Sequence, residues 1–205
     1  KLDQKVISKI ANNIGLDVIW QTVSTNTDLF AIVDKVNLPR VLLAEYQSKG
    51  RGRRNDPWIS PLGGGLCMSM GWQFSSLPQT IPSLGLVIGL TIIDTIETLG
   101  GRSIKIKWPN DVIFDRKKIA GSLVDLKTEL SGYSYAVIGI GINILMSQEH
   151  KQEINQPVAD LHDVLGVKVS RNQLAGKLIN CLNQALTKFE KEGFKSFRDK
   201  FIEKD

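Results

Sequence analysis

From Leu66 to Phe74 the chain alternates without a break. Leu66, Met68, Met70, Trp72 and Phe74 point one way, and Cys67, Ser69, Gly71 and Gln73 the other. A helix would scatter these side chains around its axis, whereas an extended chain sorts them onto two faces, so the segment predicts a half-buried strand. A strand with one apolar face needs neighbours and a layer to cover that face. The chain supplies both. Asp17 to Val23 and Val41 to Gln47 predict strands before it, and Ser103 to Trp108, Val112 to Phe114, Lys118 to Lys127 and Tyr133 to Ile144 predict strands after it. A tight turn at Asp115–Lys117 joins two of these, and short connections dominate the middle of the chain.

Helices are expected at both ends and between the strands. Leu2, Val6, Ile7, Ile10 and Ile14 share one helical face, with Gly15 at its end. Ser24 and Thr25 suit a helix N-terminus, with Asp28 in the first turn of a helix running to about Val36. A further helix spans about Pro82 to Leu99, with proline at its start and Gly100 at its stop. Asn172 to Glu190 is amphipathic, and a short helix covers Phe194 to Ile202. The stretch from His150 to Val169 is expected to be irregular, with room for one short helix. Together these predict an α+β fold, a mixed and largely antiparallel sheet with helices packed on it.

At 205 residues, 42% of them hydrophobic, the chain can bury a real core as one domain. Its longest apolar run, Leu84 to Ile96, is interrupted by Gly89, Thr91, Asp94 and Thr95, so it predicts a core helix and not a membrane span. No secretory signal is expected. Cys67 and Cys181 stand far apart outside any CxxC pattern, which suits reduced thiols in the cytoplasm.

Net charge is +5, and its placement is informative. Residues 47–58 set Lys49, Arg51, Arg53 and Arg54 against Asp56. Residues 102–118 set Arg102, Lys105, Lys107, Arg116, Lys117 and Lys118 against Asp111 and Asp115, leaving the rest of the chain net acidic. A field focused in this way attracts an anion such as a nucleotide phosphate or a nucleic acid.

Four blocks fall within or beside these segments. Gly50-Arg51-Gly52-Arg53-Arg54 lies in a stretch, Ser48 to Pro57, with no large apolar residue, which predicts a surface loop. Its glycines let backbone N–H groups approach a ligand, and its arginines supply forked donors for phosphate or carboxylate. Charge alone leaves a nucleic-acid contact equally open, although the interleaved aromatics of single-strand binders are missing. Lys107-Trp108-Pro109-Asn110-Asp111 sets a cation, an amide and a carboxylate at a strand end; Asn and Asp can also simply cap such a turn. Lys118-Ile119-Ala120-Gly121 enters a strand just after the second basic segment. Gly139-Ile140-Gly141-Ile142-Asn143 begins like a dinucleotide fingerprint, but the third glycine and the following helix are missing. Close packing against the two glycines is the plainer explanation. His150 and His162 share no metal-ligand spacing, and no Ser–His–Asp arrangement is present. Any chemistry must therefore run on positioning and positive charge, as acyl adenylation does.

Taken in order, Ser24-Thr25-Asn26, Gln47, the Gly50–Arg54 loop, Trp58, Ser60-Pro61, the Lys107–Asp111 block, Lys118–Gly121 and Gly139–Asn143 resemble the biotin protein ligases over nearly the whole chain. The resemblance implies a fold shared with lipoate ligases and with class II aminoacyl-tRNA synthetases. It implies ATP and Mg2+ as cofactors, the metal carried by ATP, with biotin as substrate. It also implies a cytoplasmic enzyme whose partner is a biotin carboxyl carrier domain, with no membrane and no DNA partner and with a homodimer left open. The chain is expected to be a single catalytic domain over residues 1–205, without an N-terminal winged helix and with the C-terminal small β-barrel absent or truncated.

The resemblance also implies residue roles. Lys118, Arg53 and Asp111 are the catalytic candidates. Ser24, Thr25, Asn26 and Gln47 would hold the biotin head, Gly50, Arg51 and Gly52 would shape the loop over it, and Gly121 would let the ring approach its strand. Arg53, Arg54, Trp58, Lys107, Asn110, Lys118 and Asn143 would hold the nucleotide or adenylate, with Trp58 packing near adenine or bracing the loop. The chain departs from many relatives at Asn55-Asp56-Pro57, where a carboxylate is expected to loosen the hold on the adenylate and a proline to stiffen the hinge. A lipoate-type ligase would share the chemistry, but the polar Ser24-Thr25-Asn26 cap suits a ureido ring better. A nucleic-acid-binding module would use the arginine loop and the second basic segment. A biotin-binding sensor without activity would have no need of Lys118 and Arg53.

Overall fold

The computed structural model describes residues 1–12, 14–75, 78–129 and 133–205, with Asn55 described by its backbone alone. A seven-stranded sheet organises the fold. Its strands are β1 (Gly15–Thr22), β2 (Arg40–Gln47), β5 (Gly65–Phe74), β6 (Ile104–Lys107), β7 (Asp111–Phe114), β8 (Lys117–Thr128) and β9 (Ser134–Asn143). They lie in the order β1-β2-β5-β9-β8-β7-β6. β1 and β2 are parallel and every other pairing is antiparallel. The α+β class expected from the sequence is what is observed.

One face of the sheet carries the main core. Leu66, Met68, Met70, Trp72 and Phe74 of β5 and Ile138, Ile140 and Ile142 of β9 pack beneath three helices, α1 (Gln4–Ile10), α3 (Leu84–Glu97) and α6 (Arg171–Glu192). Phe74 and Met68 are essentially inaccessible, and each such side chain stabilises by about 1.5–3 kcal/mol. α3 is apolar almost all round because it is sandwiched between the sheet and α6. Its two buried hydroxyls bond back to their own helix, Thr91 to the Val87 carbonyl and Thr95 to the Thr91 carbonyl, both at 2.8 Å. α7 (Arg198–Lys204) is fastened to α3 by the Lys200–Asp94 and Lys204–Glu97 ion pairs.

The opposite face is covered more thinly, by α2 (Thr25–Ile32). Leu29 and Val33 form a small second core there with Tyr135 and Val137. β5 is consequently buried on both faces and not half-buried as its pattern predicts, because Ser69 meets Thr25 and Asn26 of α2, and Gly71 lies against Val33 and Leu38 just after that helix.

Other local expectations shift as well. α1 ends at Ala11, and Asn12 adopts a left-handed φ of 50° that the helix cannot continue. Gly15 opens β1 where the periodicity had it closing the helix. Asn13, inside the expected helix, lies outside the described residues. The polar stretch after β2 is not wholly irregular: β3 (Gly50–Arg51) pairs with β4 (Pro57–Trp58) as a two-stranded ribbon. The stretch after β9 holds two short helices, α4 (Gln148–Glu153) and α5 (Leu161–Leu165). A reciprocal Asp160–Asp163 capping box starts α5, and Lys151 bridges both carboxylates. Burial disfavours that ammonium, but the two carboxylates outweigh it and hold its pKa above the usual lysine range. The β7–β8 turn runs through Asp115 and Arg116, both at positive φ, as a two-residue hairpin turn requires. No described helix is long and apolar enough to cross a membrane.

Candidate active site

On the α2 face, a cavity of about 350 Å3 opens between the first turn of α2, the β3–β4 arm, the β6–β7 turn and the middle of β8 and β9. Each of these four segments brings a different chemistry.

The first turn of α2 and the floor beneath it form a chain of oxygens. Ser24 occupies the N-cap position but makes no side-chain capping bond, and it lines the cavity. Gln47, from the end of β2, takes over the helix end: its Oε1 accepts from the Thr25 amide at 2.8 Å and lies 3.0 Å from the Thr25 hydroxyl. Thr25 Oγ1 lies 2.7 Å from Ser69 Oγ, which in turn lies 2.7 Å from Asn26 Oδ1. Asn26 Nδ2 donates to Asp125 Oδ2 at 2.9 Å. Both amide orientations are thus set by their partners, since Gln47 faces an N–H and Asn26 faces a carboxylate. The result is a carbonyl, two hydroxyls and a second carbonyl in a row. Two hydroxyl protons must serve three oxygen–oxygen contacts, so the row is one donor short.

The arm lies over this row. Gly52 N donates to the Asp56 carbonyl at 2.7 Å and Asp56 N to the Arg53 carbonyl at 3.0 Å, which closes the loop between β3 and β4. Arg54 stands at φ 55° inside it. Arg51 pairs with Asp125 at 3.2 Å, whereas Arg53 and Arg54 are exposed and have no carboxylate partner among the described residues. Trp58 packs against β9 at Gly141, where a Cβ would clash with its Cε2. Asn26 does the same at Gly139. The glycine pair of β9 therefore admits two side chains that the site needs.

Lys118 and Asp111 face each other across β7 and β8, Nζ to Oδ1 at 2.7 Å. The ammonium also lies 5.5 Å above the Trp58 ring, within range of a cation–π attraction. Gly121 makes room for it, since a Cβ there would stand 3.0 Å from Lys118 Cε. Asn110 clips the β6–β7 turn to β8: its Nδ2 donates to the Ser122 carbonyl at 2.7 Å and its carbonyl accepts from Ser122 N at 3.2 Å. Gly85 on α3 lets this turn approach, as a Cβ would stand 3.0 Å from the Pro109 carbonyl. Trp108, 71% exposed, stands at the cavity mouth.

Of the residues singled out from sequence, Ser24, Thr25, Asn26, Gln47, Arg51, Gly52, Arg53, Arg54, Trp58, Asn110, Asp111, Lys118 and Gly121 line one cavity. Three do not. Gly50 is buried at the base of the arm, against Gln47 and Trp58. Lys107 is exposed just outside the lining. Asn143 is buried behind Lys118, its Nδ2 donating to the carbonyls of Lys118 at 3.4 Å and Ala159 at 3.1 Å. Ser69 and Asp125 were missed. Strand alternation could have found Ser69, a hydroxyl on the second face of a central strand; nothing local marks Asp125. Cys67 lies under Gln47 and Ser60, and burial pushes its thiol up despite those two hydrogen bonds, so it is no thiolate nucleophile. Among the described residues no group of three or more His, Cys, Asp or Glu could hold a metal.

The biotin/lipoate A/B protein ligase family matches residues 18–143. The bifunctional ligase/repressor BirA of Salmonella typhimurium is 37% identical over 182 residues, covering 89% of this chain and 57% of that protein. The biotin–[acetyl-CoA-carboxylase] ligase of Mycobacterium tuberculosis is 32% identical over 174 residues, covering 80% of this chain and 61% of that protein. The chain thus spans less than two thirds of the length of these curated relatives. Among solved structures, the Aquifex aeolicus biotin protein ligase in complex with biotin and ATP superposes with a TM-score of 0.76 at 30% identity, covering 91% of this chain and 76% of that one.

Proposed function

The chain belongs to the biotin/lipoate A/B protein ligase family, and from that premise we propose that it is a biotin–protein ligase. It activates biotin with MgATP to biotinoyl-AMP and passes the acyl group to one lysine of a biotin carboxyl carrier domain. The observation that carries the choice of acid is the oxygen row at α2, which is one donor short. A ureido ring brings two N–H donors to the spare lone pairs of these oxygens; the dithiolane of lipoate brings none and forgoes those hydrogen bonds, each worth about 0.5–1.5 kcal/mol.

In the first step a biotin carboxylate oxygen attacks the α-phosphorus and the bond to pyrophosphate breaks. The charge growing on the phosphate oxygens is met by fixed cations. Lys118 supplies one at the junction of carboxyl and phosphate, held in place by Asp111 and Trp58. Arg53 and Arg54 supply others from the arm, because neither is engaged by a carboxylate among the described residues. Asn110 and Trp58 flank the nucleotide. Magnesium enters on the nucleotide's phosphates; the carboxylates lining the cavity are Asp56 and Asp111, the latter engaged by Lys118. In the second step the acceptor amine attacks the acyl carbon, the bond to AMP breaks, and Asp111 receives the incoming lysine. The arm, lying over the row, keeps water from the mixed anhydride. Asp56 weakens the positive field at the mouth and loosens the hold on the adenylate.

One relative combines ligase and repressor; we assign the ligase part to these residues, acting in the cytoplasm. The test is biotin-dependent exchange of labelled pyrophosphate into ATP. Exchange with biotin and not with lipoate supports the reading, and exchange driven by lipoate alone contradicts it.

A further inference from the structure

Asp125 belongs to none of the motifs and does not line the cavity, yet a single oxygen of it touches both the lid and the floor. Its Oδ2 accepts from Arg51 Nη2 at 3.2 Å and from Asn26 Nδ2 at 2.9 Å. Arg51 is in β3 of the arm, and Asn26 is in the first turn of α2. Among the described residues this is the ion pair that ties the arm to the sheet. Arg53 and Arg54, the next cations of the loop, have no such tether.

We propose that Asp125 is a positioning residue with two linked effects: it latches the arm over the head-group end of the cavity and holds Asn26 with its carbonyl turned inward. An ionised carboxylate is an acceptor at every lone pair, so it suits two donors at once and rejects the carbonyl end of Asn26. Without it the amide can turn over. Asn26 Nδ2 would then face Ser69 and supply the donor that the oxygen row lacks. The subsite would satisfy itself and lose its demand for a donor on the ligand. The same change frees Arg51, and the arm opens. Lid closure and head-group selection thus depend on one side chain. The ligand half of this inference rests on the proposed biotin ligase function; the latch half does not.

The experiment uses the 205-residue chain with Asp125→Asn, Asp125→Ala and Asp125→Glu. In the empty protein, trypsin cleavage after Arg51, Arg53 or Arg54 reports arm opening without any ligand. Loss of an exposed ion pair of this kind is expected to raise the cleavage rate about fivefold in Asp125→Asn and Asp125→Ala. Asp125→Glu, which keeps the carboxylate, should recover part of the protection. An unchanged rate in both variants that lack the charge overturns the latch. Pyrophosphate exchange then reads the second effect. The biotin KM of Asp125→Ala should rise about tenfold or more, with the maximal exchange rate within about twofold of the parent and an unchanged unfolding midpoint. Faster cleavage with an unchanged KM overturns the coupling to Asn26. If the parent chain shows no biotin-dependent exchange, the functional reading fails and the coupling with it, while the latch stands or falls on proteolysis alone.

Discussion

The two faces of β5 obey different rules. The helix side, Leu66 to Phe74 in steps of two, is a surface of bulk: any set of apolar side chains that fills the volume beneath α3 and α6 keeps the fold. The other side carries Cys67, Ser69 and Gly71, and there the identity and orientation of each atom matter. Ser69 meets Thr25 from 44 residues away and Asn26 from 43, in a row of oxygens whose protons do not suffice. One strand thus holds the fold with one face and lines the proposed ligand site with the other. Substitutions on the two faces should therefore separate stability from activity.

The largest separation is expected at the extremes. Phe74→Ala, on the helix side, should cost about 3–5 kcal/mol in urea unfolding while leaving the exchange rate per folded molecule unchanged. Lys118→Ala should do the reverse, keeping the unfolding midpoint and lowering exchange by about 100- to 1,000-fold. Parent-like exchange in Lys118→Ala would remove it from the catalytic role.

Glu45 tests whether the buried ionic part of the sheet belongs to the fold and not to the site. Burial alone would raise its pKa, but the Leu2 amide and the Arg171 guanidinium outweigh it and hold the carboxyl below the ordinary 4.5. The folded state therefore binds the proton less well than the unfolded chain. The stability this contributes is complete above about the ordinary value and is lost as pH falls through the lowered one. Glu45→Ala strands Arg171 and should cost about 3 kcal/mol at neutral pH, and its unfolding free energy should lose less of its value on acidification than the parent's. A parallel decline in both would contradict the assignment.

Gly141→Ala sharpens the comparison from the neighbouring strand. A methyl group there displaces Trp58, so biotin binding should weaken about tenfold, with a change in tryptophan emission that marks the moved indole. The smallest effect is expected at Ser122. Its Oγ is buried with no hydrogen-bond partner among the described residues and, by strand alternation opposite Ile140, points to the helix side. Ser122→Ala should lie within about 1 kcal/mol of the parent, on the stabilising side.

How much of this was legible beforehand follows from the range of each interaction. The alternation of β5, the proline and glycine that bound α3 and the amphipathic pattern of α6 are local, so strand and helix identity could be read directly. The motif blocks named most of the cavity lining, because each presents its chemistry within a few consecutive residues. What escaped was non-local. The second covering of β5 depends on α2 and the arm arriving from elsewhere in the chain. Gly139 and Gly141 stood out as a motif, but the side chains they admit, Asn26 and Trp58, lie more than 80 residues earlier. Asp125 is an ordinary acid on a strand until Arg51, 74 residues away, is placed beside it. Lys107 and Asn143 show the converse: both sit in strong motifs, yet the fold sets one outside the lining and the other behind Lys118.

The proposed role of the polar face of the sheet is to select a head group bearing N–H donors. Calorimetric titration of the 205-residue chain with biotin, and with biotin methylated on both ureido nitrogens, tests it most directly. Clear binding of biotin and a loss of roughly a hundredfold or more on methylation are expected, about the scale of two lost hydrogen bonds. Because added methyl groups could also clash, the same pair is titrated into Asp125→Ala, where Asn26 is free to turn and the row can satisfy itself; there the gap between the two ligands should narrow. Equal affinities in the parent chain would contradict selection by N–H donors.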